Sequence, residues 1–187
     1  MHGFDEGVEF SLEWEELPEP AASARGRYED CLEHHPECPH APHCREPYEA
    51  AVGEYRMVLD GHQLGVCREG MRRTGMSYPA EEPEFPDWPF ATTAEWYAAP
   101  QDVRDAHKAA DRAARVYRVP GMAGIPEFKV RESGPWSVGP EEIGEALGRY
   151  EAAPAGVRAE LEGGGVVWPL WLDWLRDPAG RGGFRVD

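Results

Sequence analysis

The chain contains no asparagine, only two lysines, Lys108 and Lys129, and only two isoleucines, Ile125 and Ile143. Without asparagine there is no acceptor for N-glycosylation. Alanine, glycine, proline and arginine fill the gap, a usage that points to a GC-rich bacterial genome and predicts a reducing cytoplasm. In that compartment the four cysteines are read as free thiols or metal ligands ahead of disulfides. No run approaches the ~18 apolar residues of a membrane-spanning helix. The segment MHGFDEGVEF lacks the basic and apolar regions of a classical signal, so neither secretion by that route nor membrane insertion is expected. A phosphate loop, a dinucleotide fingerprint, a GxSxG elbow, a calcium loop and an HExxH helix are all missing. The triple glycine at 163–165 has no Lys or Ser partner and reads as a turn.

Positive charge is also in short supply. Nineteen basic residues face 35 acidic ones, for a net charge of -16. A field of that sign repels phosphate backbones, so nucleic-acid binding is not expected. Arg68, Arg72 and Arg73 form one local basic cluster, in CREGMRR, which reads as a solvated helix face. Acidity of this size suits a basic protein or peptide partner, and it also serves solubility. At 187 residues the chain is read as a single domain, able to bury about two-thirds of its unfolded surface without help from a metal.

What the sequence does concentrate is metal-capable chemistry. Between Cys31 and Cys44 it reads CLEHHPECPHAPHC, with three of the four cysteines and four of the seven histidines. Pro36, Pro39 and Pro42 recur every third residue, the repeat of one polyproline II turn. Residues three apart on such an edge are ~9 Å apart, too far for neighbours on it to share one zinc. If residues 27–35 are helical, however, Cys31 and His35 share a face, and the prolines steer Cys38 and Cys44 back over it. Cys31, His35, Cys38 and Cys44 are therefore the candidate zinc ligands, with His34, His40 and His43 as alternatives. Three thiolates and an imidazole close the tetrahedron, which favours a structural zinc. The catalytic alternative takes two or three of the histidines with one cysteine, a bound water, and Glu33 or Glu37 as general base. The isolated Cys67, beside Leu64 and Val66, reads as a buried thiol.

Hydropathy patterning predicts a helix-dominated α+β domain with a small antiparallel sheet and long Pro-rich loops. Alternation over 7–14 predicts a half-buried strand. Apolar spacing from Tyr48 to Leu59 predicts a helix begun near Pro47 and stopped by Gly61, with a weaker helix over 62–76. Four prolines make 77–90 an extended loop, and Thr92 with Glu95 has capping-box spacing. Pro100 opens an Ala-rich helix to about Tyr117, with Val103, Ala106, Ala110 and Ala113 as its packing face. Residues 126–131 alternate as a strand. Pro140, Pro154 and Pro169 begin three further helices, and Phe184 with Val186 is expected to add an edge strand. Trp168, Trp171, Leu172 and Leu175 form the inward stripe of the last helix. The aromatics of PEFPDWPF and WPLWLDW suggest a binding groove walled by Phe85, Trp88, Trp168, Trp171 and Trp174. The functional expectation is a zinc-stabilised protein-interaction or ligand-recognition module of the bacterial cytoplasm. The alternative is a small metalloenzyme acting on a small molecule or peptide through residues 31–44.

Overall fold

Val8 and Phe10, two residues apart and both buried, set the register of the first strand. The computed structural model describes residues 8–12, 56–131 and 134–186. Strand β1 (Val8–Leu12) pairs antiparallel with β2 (Arg56–Leu59) on one side and with β6 (Phe184–Val186) on the other. β6 in turn pairs antiparallel with β5 (Trp136–Val138), which gives a four-stranded sheet of order β2-β1-β6-β5. A second sheet is two residues wide, with β3 (Ser77–Tyr78) parallel to β4 (Ile125–Pro126). Six helices dominate the described residues: α1 (Gly61–Thr74), α2 (Thr93–Ala98), α3 (Gln101–Arg115), α4 (Pro140–Ala152), α5 (Ala155–Gly163) and α6 (Val167–Ala179). The protein is a helix-dominated α+β fold.

Local chemistry accounts for the helix boundaries. Asp60 accepts from the Gln63 backbone N–H at 2.8 Å, and the Gln63 side chain accepts from the Asp60 N–H at 3.1 Å. This reciprocal cap starts α1 one residue later, and Gly75 ends it in the left-handed region at φ 74°. Thr92 accepts from the Glu95 N–H at 3.2 Å to start α2. Pro140 occupies the first turn of α4, where its missing N–H costs nothing.

The core lies where α1, α4 and α6 pack on one another and on the sheet. Trp171, Phe10 and Phe184 make edge-on contacts, with centroids 5.0 Å apart for Phe10–Trp171 and 6.2 Å for Trp171–Phe184. Trp174 stacks on Trp171 at 5.6 Å. A glycine lets α6 reach α1: a Cβ at Gly70 would stand 2.3 Å from the Trp168 ring. Gly183, at φ +105°, brings the chain so close to β5 that a Cβ there would meet the Val138 carbonyl oxygen at 2.1 Å.

Several expectations are corrected. Residues 56–59 are strand β2 rather than the end of a helix, because ladder pairing with β1 outweighs the helical spacing of Val58 and Leu59. Gly61 opens a helix instead of stopping one. Residues 127–130 form a 3-10 turn, not a strand, with Phe128, Lys129 and Val130 all buried. β6 lies inside the sheet and is not an edge. The Ala-rich face of α3 is exposed, and Ala114 is that helix's one buried residue. The rest of the expected 47–59 helix, the expected helix over 27–35 and the Cys/His segment lie outside the described residues.

Candidate functional site: a cationic cleft

α3 runs past β5 and the start of α4, and the space between them is a cleft of about 890 Å³, within the ~300–1,000 Å³ of small-molecule sites. From α3 and the chain just after it come Lys108, Asp111, Arg112, Arg115 and Arg118. Opposite stand Ser137 and Val138 of β5, Gly139, the first turn of α4 through Glu142, and Arg185 of β6. Lys108, Arg112 and Arg115 fall four and three residues apart, so the helix presents them as one stripe. Five cationic side chains thus meet three carboxylates, in a chain whose overall balance is strongly the other way.

Two of the cations are held in place. The Arg115 guanidinium donates to both Asp111 oxygens, at 2.6 and 3.1 Å, and to the Pro135 carbonyl at 3.3 Å. Arg118 faces Glu141 at 3.0 Å and Glu145 at 2.8 Å. The hydrogen bond to Glu145 is the largest of the contributions that raise Arg118 above the ordinary arginine value. Glu145 also accepts from the Gly124 N–H at 2.9 Å. That backbone bond, and then Arg118, hold its carboxyl below the usual range. Lys108 and Arg112, both exposed, form no ion pair with a described residue; the Lys108 ammonium stands 5.9 Å from the Trp96 ring centroid.

Behind the cleft lies a buried ion pair. Lys129 Nζ donates to the two Glu142 oxygens at 2.8 and 3.0 Å and to the Ser137 carbonyl at 2.7 Å. Its side chain is 0% exposed and that of Glu142 is 5%. Burial pushes the Lys129 ammonium below the ordinary lysine range, and the Glu142 carboxylate offsets part of that. Glu142 also accepts the Gly139 N–H at 2.9 Å. One carboxylate therefore ties the 3-10 turn to the residue between β5 and α4, and Ser137 to Glu142 line the cleft opposite α3.

All three lining carboxylates already face a cation: Asp111 with Arg115, Glu141 with Arg118, and Glu142 with Lys129. Such a set is poorly placed to abstract a proton and well placed to receive anionic groups at Lys108 and Arg112. No family model, curated protein or solved structure matches this sequence.

The five expected groove residues are distributed differently. Trp168 and Trp171 are core, each 1% exposed, so neither presents a wall to solvent. Trp174 is half-buried against Phe184 at 5.1 Å. Phe85 packs on Trp136 at 5.1 Å. Trp88 joins Phe90, Trp96 and His107 in a separate surface cluster. Among the described residues no ring contact links Phe85 or Trp88 to the α6 tryptophans, because burial of α6 against the sheet fixes that stripe inward.

The expected zinc ligands Cys31, His35, Cys38 and Cys44, and the alternatives His34, His40 and His43, lie outside the described residues. Among the described residues no three His, Cys, Asp or Glu side chains form a metal-sized group. Burial pushes the Cys67 thiol up to about 12, as expected of an inert core cysteine. Arg72 pairs with Glu69 and Glu127, and Arg73 with Glu160, which makes that basic cluster an ordinary solvated helix face. No helix of the described residues is long and apolar enough to cross a membrane.

The cleft residues went unnoticed in the sequence because Asp111 and alanines interrupt their run. Lys108, Arg112 and Arg115 stand out only when residues are counted at helical spacing.

Proposed function

We propose that this protein is a ligand-recognition module whose binding face is the cationic cleft, and that the ligand is a small molecule carrying carboxylate or phosphate groups. The observation behind this reading is the gathering of Lys108, Arg112, Arg115, Arg118 and Arg185 around one cavity in a chain of net charge -16. In a field that repels anions, cations grouped this way supply local attraction that the rest of the surface does not. The prepaired Arg115 and Arg118 act as rigid donors, while Lys108 and Arg112 are available to form new charge-assisted bonds. Titration with citrate and with pyrophosphate, followed by calorimetry, tests the reading. Arg112→Ala should weaken binding by about 1.5–3 kcal/mol, the range for a hydrogen bond to a charged group, and an unchanged affinity would oppose it.

Zinc belongs to the same proposal as a stabilising element in a cytoplasmic protein, held by Cys31, His35, Cys38 and Cys44. Elemental analysis after dialysis against a weak chelator should return stoichiometric zinc that Cys38→Ser releases. Metal-free protein with all four thiols titratable after unfolding would remove zinc from the account and leave the cleft untouched.

A further inference from the structure

The surface cluster around Trp88 has a chemistry opposite to that of the cleft. Four rings meet there: Trp88 lies 5.0 Å from Trp96, 5.3 Å from Phe90 and 5.2 Å from His107, centroid to centroid. Phe90 and His107 also touch Trp96, at 5.2 and 5.6 Å. The cluster fastens the Pro-rich segment between β3 and α2 onto α3. Phe90 reaches α3 through Trp96, and Trp88 touches His107 directly. Trp88 nevertheless remains 54% exposed. A large aromatic left half in water on a pre-formed platform is a feature of recognition surfaces.

The surroundings select the partner. Residues 77–107 carry seven carboxylates and one cation, Arg104, and that arginine donates to Gln101 at 2.6 Å. Glu81, Glu84, Asp87 and Asp102 are exposed and form no ion pair with a described residue. The ring faces are electron-rich, and Lys108 already places its ammonium 5.9 Å from the Trp96 centroid, so the cluster attracts cations even within the chain. Arginine answers both features: its guanidinium plane stacks on an indole while its N–H fork meets carboxylates two at a time.

We infer that the Trp88–Trp96 cluster, on a segment that also exposes Glu84 and Asp87, is a docking surface for an arginine-rich segment of a partner protein. The prolines at 83, 86 and 89 restrict the loop beforehand, so less freedom is lost on binding. The partner associates by charge steering and is held by stacking on Trp88.

The experiment is a fluorescence-anisotropy titration of the full chain with a labelled oligo-arginine peptide, at low and moderate salt. Trp88→Ala changes no charge and should weaken binding about ten-fold or more, as loss of an anchoring aromatic does. Glu84→Gln with Asp87→Asn should weaken it and flatten its salt dependence. Glu151→Gln and Asp173→Asn, which remove the same number of charges from α4 and α6, should leave it as in the parent. Arg112→Ala in the cleft should not weaken it, which separates this surface from the proposed anion site. Equal affinity of parent and Trp88→Ala would show that the peptide merely coats an acidic protein, and would overturn the inference. If Trp88→Ala alters the melting curve, the Glu84/Asp87 variant decides, and parental affinity there overturns it equally.

Discussion

Replacing Lys129 with methionine keeps most of the side-chain volume and removes the ammonium. Glu142, 5% exposed, then loses both bonds from Nζ and keeps only the one from the Gly139 N–H. The Ser137 carbonyl loses its 2.7 Å donor as well. Breaking a buried pair by removing one partner costs about 3–5 kcal/mol, because a charge is left uncompensated. For a chain of this size about 2–4 °C of melting temperature goes with each kcal/mol, so Lys129→Met should melt about 6–20 °C lower. Urea unfolding should show the midpoint falling with its slope unchanged. Lys129→Met with Glu142→Leu should recover much of the loss, since an apolar pair of similar volume avoids desolvating two charges. The pH dependence has a definite sign. Burial holds Lys129 below its ordinary 10.5, so between its folded value and 10.5 the unfolded chain binds more protons. This residue's contribution to stability therefore rises with pH across that window, and Lys129→Met should abolish the rise. A Lys129→Met protein within about 1 kcal/mol of the parent would refute the reasoning, because that is the ordinary size of a surface effect.

Cys67, pushed up to about 12 by burial, should stay unreactive toward a thiol reagent at neutral pH in the folded protein and react at once in denaturant; fast labelling of native protein would contradict its placement. Glu145 is held below its ordinary 4.5 by Gly124 and Arg118, so its stabilisation is present above 4.5 and lost as pH falls through the depressed folded value. Melting curves taken downward from neutral pH should show that loss, and Glu145→Gln should shrink it. Gly70→Ala would put a methyl 2.3 Å from the Trp168 ring and should cost about 1–3 kcal/mol by overpacking; a neutral result in urea unfolding would show that α1 and α6 pack less closely.

Where a residue's local chemistry and its tertiary setting agree, the sequence was readable. Pro140 and Pro154 opened helices, Thr92 with Glu95 capped one, and the spacing of Trp168, Trp171, Leu172 and Leu175 marked the buried stripe of α6. The errors lie where pairing with a distant segment decides. Residues 56–59 have helical spacing up to Leu59, but β1, more than forty residues earlier, provides a ladder for them. In 127–130 the alternation of Phe128 and Val130 suggested a strand. Glu142, thirteen residues on, instead lets Lys129 enter the core. The tryptophans of α6 were readable as core and as groove alike; packing of Trp171 against Phe10 and Phe184, and of Trp168 against Tyr150, made those two core. The cleft required knowing that α3 lies opposite β5 and the first turn of α4, a contact with no local signature.

The most direct test of the cationic cleft is a calorimetric titration of parent and Arg112→Ala protein with citrate and pyrophosphate at low and moderate salt. The parent should bind at least one of these anions saturably, with affinity weakened by salt and about ten-fold or more weaker in Arg112→Ala, as loss of a charge-assisted contact requires. Absence of binding to either anion, or equal affinity in parent and variant, would contradict it.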